Sequence, residues 1–468
     1  VTARLDRFWF PLRLAVAVSL TALAVGPGYA ETVTAALNGS RTSLLAVLPL
    51  LVVAIASGYR SAPRGVADTE SNWIIAALVA IPALAGLWLL GQRMPTLAAL
   101  WHLHNFGGVV IFAAALSVLF GVRHVARMWP LWVFAICCVS PLPLVLVSAA
   151  FGGSDAAAAV PAALAGTVAV ALASPMAGWW RRLVAAATCA AVSTVVIVAA
   201  AAHLPLAVTT LLVGGVFPVT AIVCCRRTPA GVGSWTAPHA LSVRTVGVLA
   251  AMAAALAVLA PNAGAPTGPL PAVDIDWADR AGLTSPVSYD FMTRYAGPDV
   301  ELVRYRVATT PLRPAIAVDV MTAADRTALT EAADLMWYPA ARPAEYRPAP
   351  ADSGLPAGAL MAHTNADTAR VGGRDDWLAI TWQWRAGEVF QQVTVLSNQS
   401  LNSARSLPAP KPVTLFDASV RPALWVARQQ PDSSGVVDPV VLQHATSLAA
   451  GLRQAAAPEP VSGTAPDA

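Results

Sequence analysis

Along the first 260 residues, apolar runs alternate with short breaks that hold arginine, glycine and proline. A helix needs about 20 apolar residues, within roughly 17–25, to cross the hydrocarbon core of a bilayer. Nine runs approach that length: 9–26, 42–57, 73–90, 105–121, 129–150, 156–173, 183–202, 206–223 and 245–260. The second and the ninth are the shortest, at 16 residues each. Proline-rich "SPLPLVL" after Cys138 predicts a kink in the fifth.

Beyond residue 272 the period changes. Residues 300–309, "VELVRYRVAT", and 315–322, "AIAVDVMT", alternate as half-buried strands do. Residues 324–337 read as a helix with Asp325 in its first turn. "WLAITWQWR" and "EVFQQVTVLS" flank Ala386-Gly387, which predicts a hairpin. Leu378, Ile380, Trp382 and Trp384 share one face of its first strand, and Val389, Val393 and Val395 one face of the second. A second helix is expected over 438–454.

The pattern therefore predicts a polytopic α-helical membrane bundle of about nine spans (1–260), a Pro/Gly/Ala linker (261–272), an extracytoplasmic α+β domain with an antiparallel sheet (273–454), and a disordered tail (455–468). Composition agrees with two solvents. The chain is 56% hydrophobic and 12% charged, with a mean hydropathy of +0.60; a soluble protein carries roughly 25% charged residues. Residues 1–272 hold five acids and fourteen arginines, net +9, whereas residues 273–468 carry net −5.

Charge then orients the bundle, because cytoplasmic loops collect arginine and lysine. With the N-terminus inside, cytoplasmic segments carry Arg4, Arg7, Arg13, Arg60, Arg64, Arg123, Arg127, Arg181, Arg182, Arg226, Arg227 and Arg244; the other side carries Arg41 and Arg93. Nine crossings put everything after about residue 262 outside a cytoplasmic membrane. Arginines spaced between apolar spans are explained by the bilayer, so no nucleic-acid partner is implied. The first run also has the layout of a signal peptide, with a basic start and small residues before Glu31; cleavage there would leave the remaining topology unchanged.

Candidate chemistry is sparse. All five cysteines lie between positions 137 and 225. Cys189 and His203 are separated on one helix by about 21 Å at 1.5 Å per residue, whereas a nucleophile and its base must come within about 3 Å. No CxxC, GxSxG, HExxH or P-loop occurs, and no metal or cofactor is expected. Polar groups that gather on the outer side are Arg41, Arg93, His102, His104, Asp155 and His203; of these, Arg93, His102, His104 and His203 form the candidate binding cluster. In "LWHLHNFGG" (100–108), His102 and His104 point to different faces of a helix but to one face of an extended strand. Trp377, Trp382 and Trp384 suggest a sugar-stacking platform, although strand parity places Trp382 and Trp384 in the core. "WYPAARPAEYRP" (337–348) reads as an exposed loop suited to partner contact.

"SRTSLLAVLPLLVVAIASGYRSAPRG", "NWIIAALVAIPALAGLWLLGQ" and "VRHVARMWPLWVFAICCVSPLP" resemble the N-terminal half of the exosortase/archaeosortase family, over about residues 40–145. "RMWPLWVFAICCVSPLP" is similar to that family's arginine, Trp/Phe-Pro and Pro-Leu-Pro pattern. The resemblance implies a polytopic envelope protein. Family members are regarded as cysteine transpeptidases that sort exported proteins with a Cys, an Arg and a His. Here the family's cysteine before Ser-Gly is replaced by "TCAAVS", which the topology puts toward the cytoplasm, and His203 alone is suitably placed. The outer domain is similar to the extracytoplasmic domain that accompanies some exosortases, without the cysteine that domain often carries.

The expectation is an exosortase-like, non-catalytic envelope protein, acting in sorting or assembly of an exported protein or glycan through its outer domain. An active cysteine transpeptidase and a transporter or flippase component are the alternatives. The second is weakened by the lack of acids or arginines deep in the predicted spans.

Overall fold

In a computed structural model, residues 2–60, 69–175, 177–200, 203–226, 242–259, 269–307, 313–333, 335, 337–340, 344–350, 353–364, 376–399, 407–428 and 437–457 are described. The chain divides into two compact units, Val1–Met94 with Ala98–Gly264, and Pro95–Leu97 with Ala265–Ala468.

The first unit is helical: α1 (Thr2–Leu37), α2 (Leu44–Ala56), α3 (Thr69–Arg93), α4 (Pro95–Trp101, whose first three residues belong to the second unit), α5 (Leu103–Phe120), α6 (Val122–Arg127), α7 (Trp129–Cys138), α8 (Pro141–Ala150), α9 (Asp155–Leu172), α10 (Trp179–Ala200), α11 (Leu206–Leu211), α12 (Phe217–Arg226) and α13 (Val243–Leu259). Among the described residues, six helices are long and apolar enough to cross a membrane, or seven when α7 and α8 count as one broken span. That is fewer than the nine expected. The two remaining runs, α2 and α13, are apolar but only 13 and 17 residues long. The break between α7 and α8 is a 67° bend where the proline-rich stretch was expected to kink the helix. Ser140, held extended at ψ 137° before Pro141, ends the first helix, as a residue preceding proline disfavours the helical region. A π-helical turn, Leu212–Val216, joins α11 to α12.

Helix ends in this unit are closed by arginine. The last carbonyls of a helix have no partner within it and carry partial negative charge. Arg226, at the end of α12, donates from Nη2 to Ala54 O (2.8 Å) near the end of α2 and to Ala173 O (2.6 Å) at the end of α9, and from Nη1 to Ser57 Oγ (2.8 Å). Gly58 makes this junction possible: a Cβ there would sit 2.0 Å from Ala173 O. Arg13, within the first predicted run, is buried in α1 and donates to Leu119 O near the end of α5. The expected topology puts both Arg13 and the end of α5 at the cytoplasmic edge, and the bond between them fits that expectation.

The second unit holds an eight-stranded sheet ordered β2-β3-β4-β8-β7-β6-β5, with β1 pairing parallel to β7 and every other pairing antiparallel. The strands are β1 (Ala272–Val273), β2 (Thr284–Ser288), β3 (Glu301–Arg306), β4 (Ile316–Ala323), β5 (Arg347–Pro348), β6 (Leu360–His363), β7 (Trp377–Ala386) and β8 (Val389–Asn398). Short helices α14 (Trp277–Arg280), α15 (Met292–Ala296), α16 (Arg326–Ala333) and α17 (Arg421–Ala427) accompany it, and α18 (Pro439–Ala456) ends the described chain. On α18, Val441, Ala445, Ala449, Leu452 and Ala456 recur at helical spacing and pack with Leu378, Ile380, Trp382, Trp384, Val393 and Val395. Asp438 caps its start by accepting the Val440 N–H at 2.8 Å.

The hairpin expected from the alternation is β7–β8, turning at Gly387 with φ +59°. Its central strands are covered on both faces, since Trp377, Ala379 and Leu396 pack with Tyr338 on the side opposite α18. Three expectations change as a result. The helix expected over 324–337 is the shorter Arg326–Ala333. Trp337 and Tyr338, read as part of an exposed loop, are 6% and 5% exposed. Trp377, Trp382 and Trp384 are all buried, so no open stacking platform exists among them. The tail from residue 458 and most of the linker lie outside the described residues.

Candidate functional site

His102 lies between α4 and α5 with φ +49°, a left-handed conformation that a residue bearing a Cβ seldom adopts. This break lets two histidines that a continuous helix would separate stack, with ring centroids 5.3 Å apart and planes at 28°. His104 packs on α1, where a Cβ on Gly28 would come 3.4 Å from its Cδ2. Arg93 is exposed at the end of α3, and His203 is exposed in the turn before α11. Among the described residues, no hydrogen bond, ion pair or ring contact joins Arg93 or His203 to the histidine pair. Nor does any group of three His, Cys, Asp or Glu among them suit a metal ion.

A second polar centre forms where α2 and α9 begin. Arg41 is 8% exposed; its Nη2 meets Asp155 Oδ1 at 3.4 Å, and its Nη1 donates to Ser148 Oγ at 3.4 Å. Ser40 and Thr42 share a hydroxyl hydrogen bond (2.9 Å), and Ser43 Oγ donates to Thr210 Oγ1 on α11 (2.9 Å). Ser40, Thr42, Ser43, Ser148, Thr209 and Thr210 are all buried. A buried ionisable side chain such as Arg41 within an apolar bundle is a candidate functional position, whereas buried hydroxyls commonly join helices. Arg41 and Asp155 were visible in the sequence as outer polar groups. The serines and threonines were not, because hydroxyl residues are common inside apolar helices and nothing in their spacing signals that four helices, α2, α8, α9 and α11, converge.

α2 and α9 thus share both ends. Their starts meet through Arg41 and Asp155, and their ends through Arg226, which bonds to both. Near the Arg226 end, Tyr59 lies in electrostatic reach of Arg127 and Arg182, Arg226 in reach of Arg60, and Cys225 in reach of Arg181. Cys189 is buried in the bundle beside Ser193 and Thr167.

In the sheet unit, register aligns Arg304, Asp319, Thr394 and Thr381 in a row across four strands. Arg304 donates from Nε and Nη2 to the two Asp319 oxygens at 2.6 and 2.7 Å, and Tyr338 Oη donates to Oδ2 at 2.6 Å. Burial opposes the Arg304 charge, yet its bonds to Asp319 hold it above the ordinary arginine range. Burial and the Asp319 charge raise the Tyr338 phenol well above its usual value. Every strong group here has a partner, so the row is a structural core rather than a reactive site. Within the same unit, Glu345 Oε2 accepts the Thr96 N–H at 2.6 Å while Thr96 Oγ1 accepts the Tyr346 N–H at 2.7 Å. Burial pushes the Glu345 carboxyl up to about 7, against the pull of those Thr96 bonds. Comparison with protein-family profiles, curated proteins and solved structures yields no match to this chain.

Proposed function

We propose that this chain is a multi-pass protein of the cytoplasmic membrane, N-terminus inside, whose sheet unit lies outside and serves the sorting or assembly of an exported protein or glycan. It does so without chemistry of its own, as an exosortase-like relative that has lost its catalytic set. The observation that carries this reading is the gathering of Arg60, Arg127, Arg181, Arg182 and Arg226 about one end of α2 and α9. Sequence reading assigned all five to the cytoplasmic side from loop charge alone, and their convergence supports that assignment.

The shared ends of α2 and α9 also support counting the 13-residue α2 as a crossing. It runs between the same two polar layers as the 18-residue α9, which is long enough to span by itself. Its short apolar length suits a position inside the bundle, with Leu44, Leu48, Leu51 and Ile55 all buried. The non-catalytic part rests on the thiols. Cys189 is packed in the bundle interior, while His203 lies beyond the end of the same helix. The test is a pair of alkaline phosphatase fusions, a reporter active only outside the cytoplasm. Fusion after Arg226 should be inactive and fusion after Ala456 active; the opposite pattern rejects the topology and the outer role with it.

A further inference from the structure

We propose that the helix through residues 416–427 of the sheet unit lies on the bilayer surface, with its apolar face among the headgroups of anionic phospholipid. A π-helical turn, Phe416–Val420, runs directly into α17. The stretch is amphipathic in the reverse of the usual sense. Ala418 and Pro422 are turned inward and buried, whereas the larger Phe416, Val420 and Leu424, with Leu415 before them, are 42–55% exposed. α18 of the same unit does the opposite, burying Val441 and Leu452 against the sheet. Phe416, Val420 and Leu424 recur four positions apart, and the exposed Ala423 and Ala427 fall on the same side, so one face is apolar and open. Arg421 and Arg428, seven positions apart, follow one border of that face.

A bilayer is the cover that the chain itself brings. Twelve residues join Leu259, the end of α13, to Ala272 in β1, a covalent reach of at most about 45 Å, so the sheet unit meets lipid at high effective concentration. A second copy of the chain is less well served. Four half-exposed side chains, at on the order of 100 Å² each, fall short of the roughly 800 Å² per partner that a stable interface covers. A surface-lying helix asks less, because it sinks only its apolar face, by about 5–10 Å, and takes further attraction from headgroup charge. Charge is placed for that. Residues 273–468 carry net −5, yet along this stretch Lys411, Arg421 and Arg428 stand against a single acid, Asp417. Lys411 and Arg428 are exposed, and Arg421 pairs with Asp417 at 3.0 Å. A basic segment of an otherwise acidic unit therefore coincides with its open apolar helix.

Docking of this kind requires only the multi-pass part of the function proposed above, whichever side the sheet unit occupies. Full-length chain carrying Phe416→p-benzoylphenylalanine is reconstituted at low density in vesicles of phosphatidylglycerol and phosphatidylethanolamine and illuminated, and its adducts are identified by mass spectrometry. The same substitution at Ser447, exposed on α18, is the control. Lipid adducts at position 416 should exceed the control by about fivefold or more. They should fall by roughly threefold or more when Val420→Ser and Leu424→Ser remove the apolar face, and by a similar factor with Lys411→Glu and Arg428→Glu. All four positions are exposed, so these variants should fold as the parent does. Lipid adducts no more frequent at 416 than at 447, or adducts chiefly to a second copy of the chain, overturn the proposal. So do lipid adducts indifferent to all four substitutions. A chain that fails to enter the vesicles at all would reject the multi-pass reading along with the docking, which separates the two failures.

Discussion

In the helical unit the Arg226 guanidinium is answered by two backbone carbonyls and a serine hydroxyl, whereas in the sheet unit Arg304 is answered by both oxygens of a carboxylate and by one backbone carbonyl, that of Pro408. The difference follows from the elements around them. Parallel peptide dipoles leave roughly half a negative charge at each helix C-terminus, and Arg226 touches two such ends at once. Strand dipoles largely cancel in a sheet, so Arg304 needs a formal counter-ion and takes Asp319, which Tyr338 also holds. Arg226 is thus neutralised by backbone, and Arg304 chiefly by acid.

Substitutions test that contrast. The largest effect is expected from Asp319→Ala, which strands a buried guanidinium and a phenol; about 3–5 kcal/mol of stability should be lost from the sheet unit, read by denaturant unfolding of the full chain. Arg226→Gln leaves the Ala54 and Ala173 carbonyls short of a donor and should cost the helical unit about 1–3 kcal/mol for each one that finds no other donor. A midpoint unchanged by this variant would remove the claim that arginine closes the helix ends.

Glu345 gives a pH-dependent effect confined to the sheet unit. Its carboxyl is raised from the ordinary 4.5 to about 7, so the folded state holds a proton that the unfolded state releases across that interval. Stability should therefore fall as pH rises from 4.5 to 7 and level off above, by at most ~3 kcal/mol. Glu345→Gln should flatten the profile; a wild-type profile rising across this window would contradict the assignment. The smallest change is Gly58→Ala, where overpacking against the Ala173 carbonyl should cost about 1–3 kcal/mol and move the Arg226 junction with it.

Much of this was legible in the residues, and the misses have physical causes. The α7–α8 bend followed from "SPLPLVL", because proline acts locally. The β7–β8 hairpin and the burial of Trp382 and Trp384 followed from period-two alternation. Burial of Trp377, Trp337 and Tyr338 did not, because the second face of the sheet is closed by residues distant in sequence, and alternation reports only one covered face. The stacking of His102 and His104 depends on a left-handed break after α4, for which "LWHLHNFGG" carries no glycine or proline at the turning residue. The Arg41 centre is a tertiary meeting of α2, α8, α9 and α11, so periodicity along any one of them is silent about it.

The account stands or falls on which side of the bilayer the cysteine-free sheet unit occupies. Ser447 is exposed on α18, and Ser447→Cys provides a single thiol there. In intact cells a membrane-impermeant maleimide should label this variant well above the level given by the five native cysteines. Labelling that emerges only after lysis would put the unit in the cytoplasm and contradict the account.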